Sequence, residues 1–130
     1  GLNNEEIYLN FQSKVNKTKN ELISFLINAK ASGKKVAGYG AAAKGNTILN
    51  YAGIKEDLLE FIVDGAPSKQ GKFTPGGHIP IVDRKYLYKK KPDYIIILPW
   101  NISNEIIKSN QGVKKWGCKF VTVIPEFKIH

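Results

Sequence analysis

The sequence predicts an α/β fold: a five-stranded parallel sheet in the spatial order 3-2-1-4-5, helices between the strands, and one long helix ahead of them. Three observations carry this. Short apolar runs alternate with segments of helical periodicity, as in strands buried on both faces and joined by right-handed crossovers. A glycine-containing turn, Gly38-Tyr39-Gly40-Ala41-Ala42-Ala43, stands between the first apolar run and the helix after it. Residues 3–31 keep helical spacing throughout.

Asn3 to Ala31 reads as one helix. Its apolar residues Ile7, Phe11, Val15, Leu22, Phe25, Leu26 and Ala29 mostly fall three, four or seven apart. Asn3 with Glu6 resembles a capping box, and Gly33 stands where a helix-terminating glycine would. Lys35–Gly38 is the first strand and Ala42–Tyr51 the helix after it. Glu60–Val63 is the second strand, apolar at Phe61, Ile62 and Val63. The Gly- and Pro-rich segment Asp64–His78 is a loop of a length that usually has a function. Ile79–Val82 is a third strand, which Pro80 places at an edge. Asp83 caps a short helix through Tyr88, broken by Lys91-Pro92. Tyr94–Leu98 is the fourth strand. Asn101 or Ser103 caps the next helix, which runs to about Asn110 and ends at Gly112. Phe120–Ile124 is the fifth strand, stopped by Pro125.

A chain of 130 residues, 42% hydrophobic and 24% charged, suits one globular domain with a real core. The absence of Met and the start at Gly1 are expected of a piece of a longer protein. On that basis residues 1–33 form a helical link to a preceding domain, and residues 34–130 form the nucleotide-binding-type domain. The lone Cys118 excludes an internal disulfide and fits a reducing cytoplasm. Two His and one Cys, far apart, do not suggest a zinc site. No apolar run reaches bilayer length, so no membrane partner is expected. The net charge of +9 is explained by a Lys-rich surface or by an anionic ligand. With Arg84 the sole Arg, a nucleic-acid partner is not expected.

In such a sheet a ligand sits beyond the strand C-termini, where the order switches between strands 1 and 4. The segments Tyr39–Asn46 and Pro99-Trp100-Asn101 meet there. Gly38-x-Gly40-x-x-Ala43 matches the dinucleotide pattern with Ala in third place. Its glycines let backbone approach a phosphate, and the helix N-terminus offers free amides. The candidate binding residues in this turn are Gly38, Tyr39, Gly40, Ala41, Lys44, Gly45 and Asn46. Lys44 opposes the helix dipole, which makes sense if an anion occupies the turn. A tight turn with a solvated Lys44 is the alternative. Asn46 stands where a P-loop needs Lys, so an NTPase is rejected. The acidic residue and Gly-x-Gly-x-Gly run of an S-adenosylmethionine site are also missing. Asp64 lies roughly 20 residues on, where a ribose-binding carboxylate belongs, or simply starts a turn before Gly65. In the loop, Lys69, Lys72, Thr74 and His78 could reach a diphosphate or sugar, or be ordered by packing alone. Trp100 could stack on a base or sugar beside Pro99, with Asn101 hydrogen-bonding to it. The alternatives are a Trp covering the sheet edge and Asn101 as helix cap. No nucleophile–base pair is recognisable, so no catalytic residue is assigned.

Five segments together resemble the C-terminal domain of S-adenosylmethionine-dependent sugar C-methyltransferases: Val36–Thr47, Ile62-Val63-Asp64, Lys69–Ile81, Pro92-Asp93-Tyr94 and Leu98-Pro99-Trp100-Asn101. The resemblance runs from about Asn20 to Ile129. It implies a Rossmann-like three-layer module that binds a nucleotide-linked keto-deoxysugar or similar phosphorylated small molecule. It implies an upstream methyltransferase domain in the same chain, which carries S-adenosylmethionine and the main acid–base residues, and a zinc-binding segment before that. No cofactor is then expected within these 130 residues. The other reading is the NAD(P)-binding domain of a dehydrogenase, which Lys44 and the long Gly/Pro loop count against.

Overall fold

The structure, a computed structural model, describes residues 3–41, 43–123 and 127–130, with the side chains of residues 43–45 also outside the description. It opens with α1, Asn4–Ala31. The capping box is present: Asn3 Oδ1 accepts from the Glu6 amide at 2.8 Å, and the Asn3 amide donates to Glu6 Oε2 at 3.2 Å. Gly33, at φ +73°, turns the chain out of the helix. Then follow β1 (Val36–Tyr39), α2 (Ala43–Tyr51), β2 (Ile62–Val63), β3 (Ile81–Val82), α3 (Arg84–Lys90) and β4 (Tyr94–Ile97). A 3-10 turn (Trp100–Ile102) leads into α4 (Ser103–Ser109), and a second (Gln111–Trp116) leads into β5 (Lys119–Thr122) and β6 (Lys128–Ile129).

The sheet order is β3-β2-β1-β4-β5-β6. The first five strands are parallel and in the expected order. The sheet is nevertheless mixed and six-stranded, because β6 pairs antiparallel with β5. A two-residue, exposed strand has no periodicity to betray it. The expected ends of strand 5, Ile124 and Pro125, lie outside the described residues.

Alternation along the strands sorts the core onto two faces. Val36, Ile62, Ile96 and Val121 pack with Leu22 and Leu26 of α1 and Leu49 of α2. Ala37, Phe61, Val63, Ile95, Ile97 and Phe120 pack with Leu87 of α3, Ile106 of α4 and Val113. The strands are thus buried on both sides, which is why they read as continuous apolar runs.

β3 is the outermost strand, as Pro80 requires. Its free edge is covered by the preceding loop. Gly71 donates to the Ile81 carbonyl at 3.0 Å, Ile81 to Lys72 at 2.9 Å and Thr74 to Ile79 at 2.9 Å, with an antiparallel bridge between Phe73 and Pro80. The loop is a strap that pairs the edge and protects it.

The stretch after β4 departs from the sequence reading. Neither Asn101 nor Ser103 caps a helix through its side chain. Gly112 does not end α4 but lies inside the second 3-10 turn, and Gly117, at φ +81°, closes that turn. Gly112 is there for packing: a Cβ on it would meet the Tyr88 ring at 3.1 Å.

Cys118 is buried. Burial, with the Asp93 charge adding to it, pushes its thiol from 9.0 up to about 12. Between those values the unfolded chain holds fewer protons than the folded one, so stability falls as pH rises through that window. Urea unfolding at about pH 8 and about pH 10 should show wild type losing more stability than Cys118→Ala. An equal loss in both would contradict the assignment. No helix among the described residues is long and apolar enough to cross a membrane.

Candidate functional site

β1 lies between β2 and β4. The chain leaves β1 toward the α1/α2 face and leaves β4 toward the α3/α4 face. The two exits part at the strand C-termini, the place where ligands of open α/β sheets bind.

Gly40 fixes the geometry of the first exit. Its φ is +84°, and a Cβ on it would lie 2.5 Å from Pro99 Cδ. Its amide donates to the Val63 carbonyl at 2.6 Å, while Leu98 donates to Tyr39 at 3.0 Å. The turn after β1 is therefore pressed against the turn after β4, as the sequence reading placed them. Gly38 has a different task. It is buried within the sheet, where a Cβ would meet Ile62 Cγ1 at 3.0 Å, so it serves strand packing.

Asp64, at the end of β2, accepts the Ala41 amide on Oδ2 and the Ala66 amide on Oδ1, both at 2.8 Å. Lys69 Nζ lies 3.8 Å from Oδ2 and donates to the Ala41 carbonyl at 3.1 Å. Gln70 Nε2, which the sequence reading missed, donates to the Asp64 carbonyl at 2.8 Å. Asp64 thus both starts its own turn and ties that turn to the β1 exit. An amide of the glycine turn already has an anionic partner from within the chain.

Lys44 and Gly45 fall in the first turn of α2, with their side-chain positions outside the description. Asn46 is half-buried, and its Oδ1 is buried without a hydrogen-bond partner. Pro99 is half-buried against Gly40, Asn101 is exposed, and Trp100 is 36% exposed. Trp100 borders a groove of about 680 Å³ between α1 and α2, together with Phe11, Val15, Ile48 and Tyr51. Tyr51 is tied to α1: its hydroxyl donates to Asn16 Oδ1 at 2.6 Å and accepts from Gln12 Nε2 at 3.1 Å. Sequence reasoning missed this groove because helix periodicity does not say where a helix outruns its support.

The structure does not bring Thr74 and His78 to the strand exits. The strap carries them along β3 to the opposite end of the sheet. There, a Cβ on Gly76 would meet Asn50 Oδ1 at 2.9 Å, and one on Gly77 the Ile54 carbonyl at 3.0 Å, both past the middle of α2. Thr74 is buried, and its hydroxyl accepts from the Ile79 amide at 3.0 Å. His78 is exposed, with φ +55°. Of the loop candidates only Lys69 lies at the β1 exit. Among the described residues, no three His, Cys, Asp or Glu side chains come together as a metal site.

The model of the C-methyltransferase C-terminal domain family matches residues 1–125. The C-methyltransferase NovU of Streptomyces niveus is 33% identical over 122 residues, which are 94% of this chain and 29% of that protein. The chain therefore spans less than a third of the relative's length.

Proposed function

Because the chain belongs to the C-methyltransferase C-terminal domain family, we propose that it is the substrate-holding part of a C-methyltransferase acting on a nucleotide-linked keto-deoxysugar. In this reading the sheet is a Rossmann-like scaffold in a cytoplasmic enzyme. The diphosphate lies against the β1–α2 turn, and the sugar or base lies beside Trp100 and Asn101. An upstream domain of the same polypeptide supplies S-adenosylmethionine and the acid–base residues, with zinc in a segment before it. Residues 1–33 lead toward that domain, and residues 34–130 hold the substrate.

The observation that carries this reading is the packing of Gly40 on Pro99. It fixes the two strand exits side by side where a ligand of an open α/β sheet binds. The orphaned, buried Asn46 Oδ1 one turn into α2 adds a polar group with capacity for a partner. The dehydrogenase alternative gains nothing, since both oxygens of Asp64 hold backbone amides instead of standing free for a ribose.

The test is titration of the chain with a nucleoside-diphosphate sugar, followed by amide chemical shifts. Shifts should gather at residues 39–46 and 100–101. Lys44→Ala should weaken binding roughly tenfold, since a charge-assisted hydrogen bond contributes about 1.5–3 kcal/mol. Shifts confined to α1, or undiminished binding by the variant, would refute the site.

A further inference from the structure

Three aromatic rings line the groove between α1 and α2. Phe11, Tyr51 and Trp100 are 65%, 48% and 36% exposed, and Val15 and Ile48 complete the apolar lining. The volume of about 680 Å³ falls within the roughly 300–1,000 Å³ of small-ligand sites. Tyr51 is held in place: Asn16 and Gln12 bond its hydroxyl, and Lys19 Nζ stands 5.0 Å from its ring centre. A ring fixed in advance costs little to order when a ligand stacks on it. The lining also carries Lys14 and Lys19 and, among the described residues, no acidic side chain. Aromatic walls with two cations and no anion suit a planar, largely apolar body attached to negative charge. A purely apolar occupant would answer neither lysine.

We propose that this groove takes the base of a nucleotide-linked ligand, so that residues 11–19 of α1 belong to the binding site. The inference rests on the reading that the ligand's diphosphate lies at the β1–α2 turn, and it adds where the nucleoside goes. Trp100 follows the β4 exit and also lines the groove, so the two places are continuous.

Distance along α2 agrees. The helix starts at Ala43, and at the helical rise Ile48 and Tyr51 lie about 7–12 Å further along its axis. A nucleoside whose phosphate sits at the turn reaches that far. The base then stacks on the groove side of Trp100, against Phe11 or Tyr51, and the sugar is left to the exposed Asn101. Stacking of this kind tolerates any base, since every base has a flat face.

Amide shifts of the 130-residue chain, titrated to millimolar with uridine, thymidine, adenosine and guanosine diphosphates in turn and with inorganic diphosphate, test it. At least one nucleotide should shift residues 11–19 and 47–51 together with 39–46, whereas inorganic diphosphate should shift 39–46 alone. Phe11→Ala should weaken nucleotide binding about tenfold and leave inorganic diphosphate binding unchanged. Its circular dichroism spectrum should match wild type, since Phe11 is exposed. Nucleotide shifts that stop short of residues 11–19, or full nucleotide affinity in Phe11→Ala, would overturn the groove assignment and leave the diphosphate reading standing. Groove shifts without any at residues 39–46 would uphold the base in the groove and overturn the placement of the diphosphate. No shift with any of the five probes would overturn both.

Discussion

Gly40→Ala is expected to destabilise the protein by about 2–5 kcal/mol. Two costs add. An L-residue held in the left-handed region loses about 1–2 kcal/mol. Forcing a methyl group into a filled space costs about 1–3 kcal/mol more, and here the space is filled by Pro99, 2.5 Å from the new carbon. The two can be separated. Gly33 also has a positive φ, +73°, but nothing lies within 4 Å of its missing Cβ. Gly33→Ala should therefore show the backbone cost alone. Placing Gly40→Ala in a Pro99→Ala background removes Cγ and Cδ and should restore the steric share, measurable as a coupling energy. Urea unfolding of the variants decides the matter. Equal costs for the Gly33 and Gly40 substitutions would show that the two exits are not pressed together.

Leu22→Ala is expected to cost about 2–5 kcal/mol, a large share of a total of roughly 5–15 kcal/mol. Leu22 and Leu26 are fully buried against β-strand residues and Leu49. The cost combines lost burial with the cavity left behind. Ile27, on the same helix but 52% exposed, supplies the comparison. Its replacement by Ala should cost less than about 1 kcal/mol. A similar small loss at Leu22 would show that α1 merely leads into the domain. The expected large loss makes the second half of α1 part of the core, so a chain beginning at Lys34 should not fold.

Much of this was legible in one dimension. Ile95, Ile96 and Ile97 had to form a strand covered on both faces, and Asn3 with Glu6 had to start a helix. Each rests on local chemistry acting within a few residues. The Gly40 turn was readable for the same reason, since a positive φ is a property of one residue and its neighbours. What escaped depended on distance in space. Asp64 could equally serve a ribose or its own turn, and the choice fell to Ala41, Ala66 and Lys69. Gly112 looked like a helix end because nothing nearby in sequence announces the Tyr88 ring it must admit.

The sequence by itself determined the alternation of strands and helices through the first five strands, the parallel arrangement of those strands and their succession 3-2-1-4-5. Those follow from hydrophobic periodicity and from the handedness of crossovers, which hold whatever the side-chain details. Only the tertiary structure decided which candidate residues share a place. It put Gly40, Asp64, Lys69 and Pro99 together at one end of the sheet, and sent Thr74 and His78 to the other. The reason is the unpaired edge of β3. Its backbone groups need partners, the strap supplies them through Gly71, Lys72 and Thr74, and that pairing draws the loop away from the strand exits.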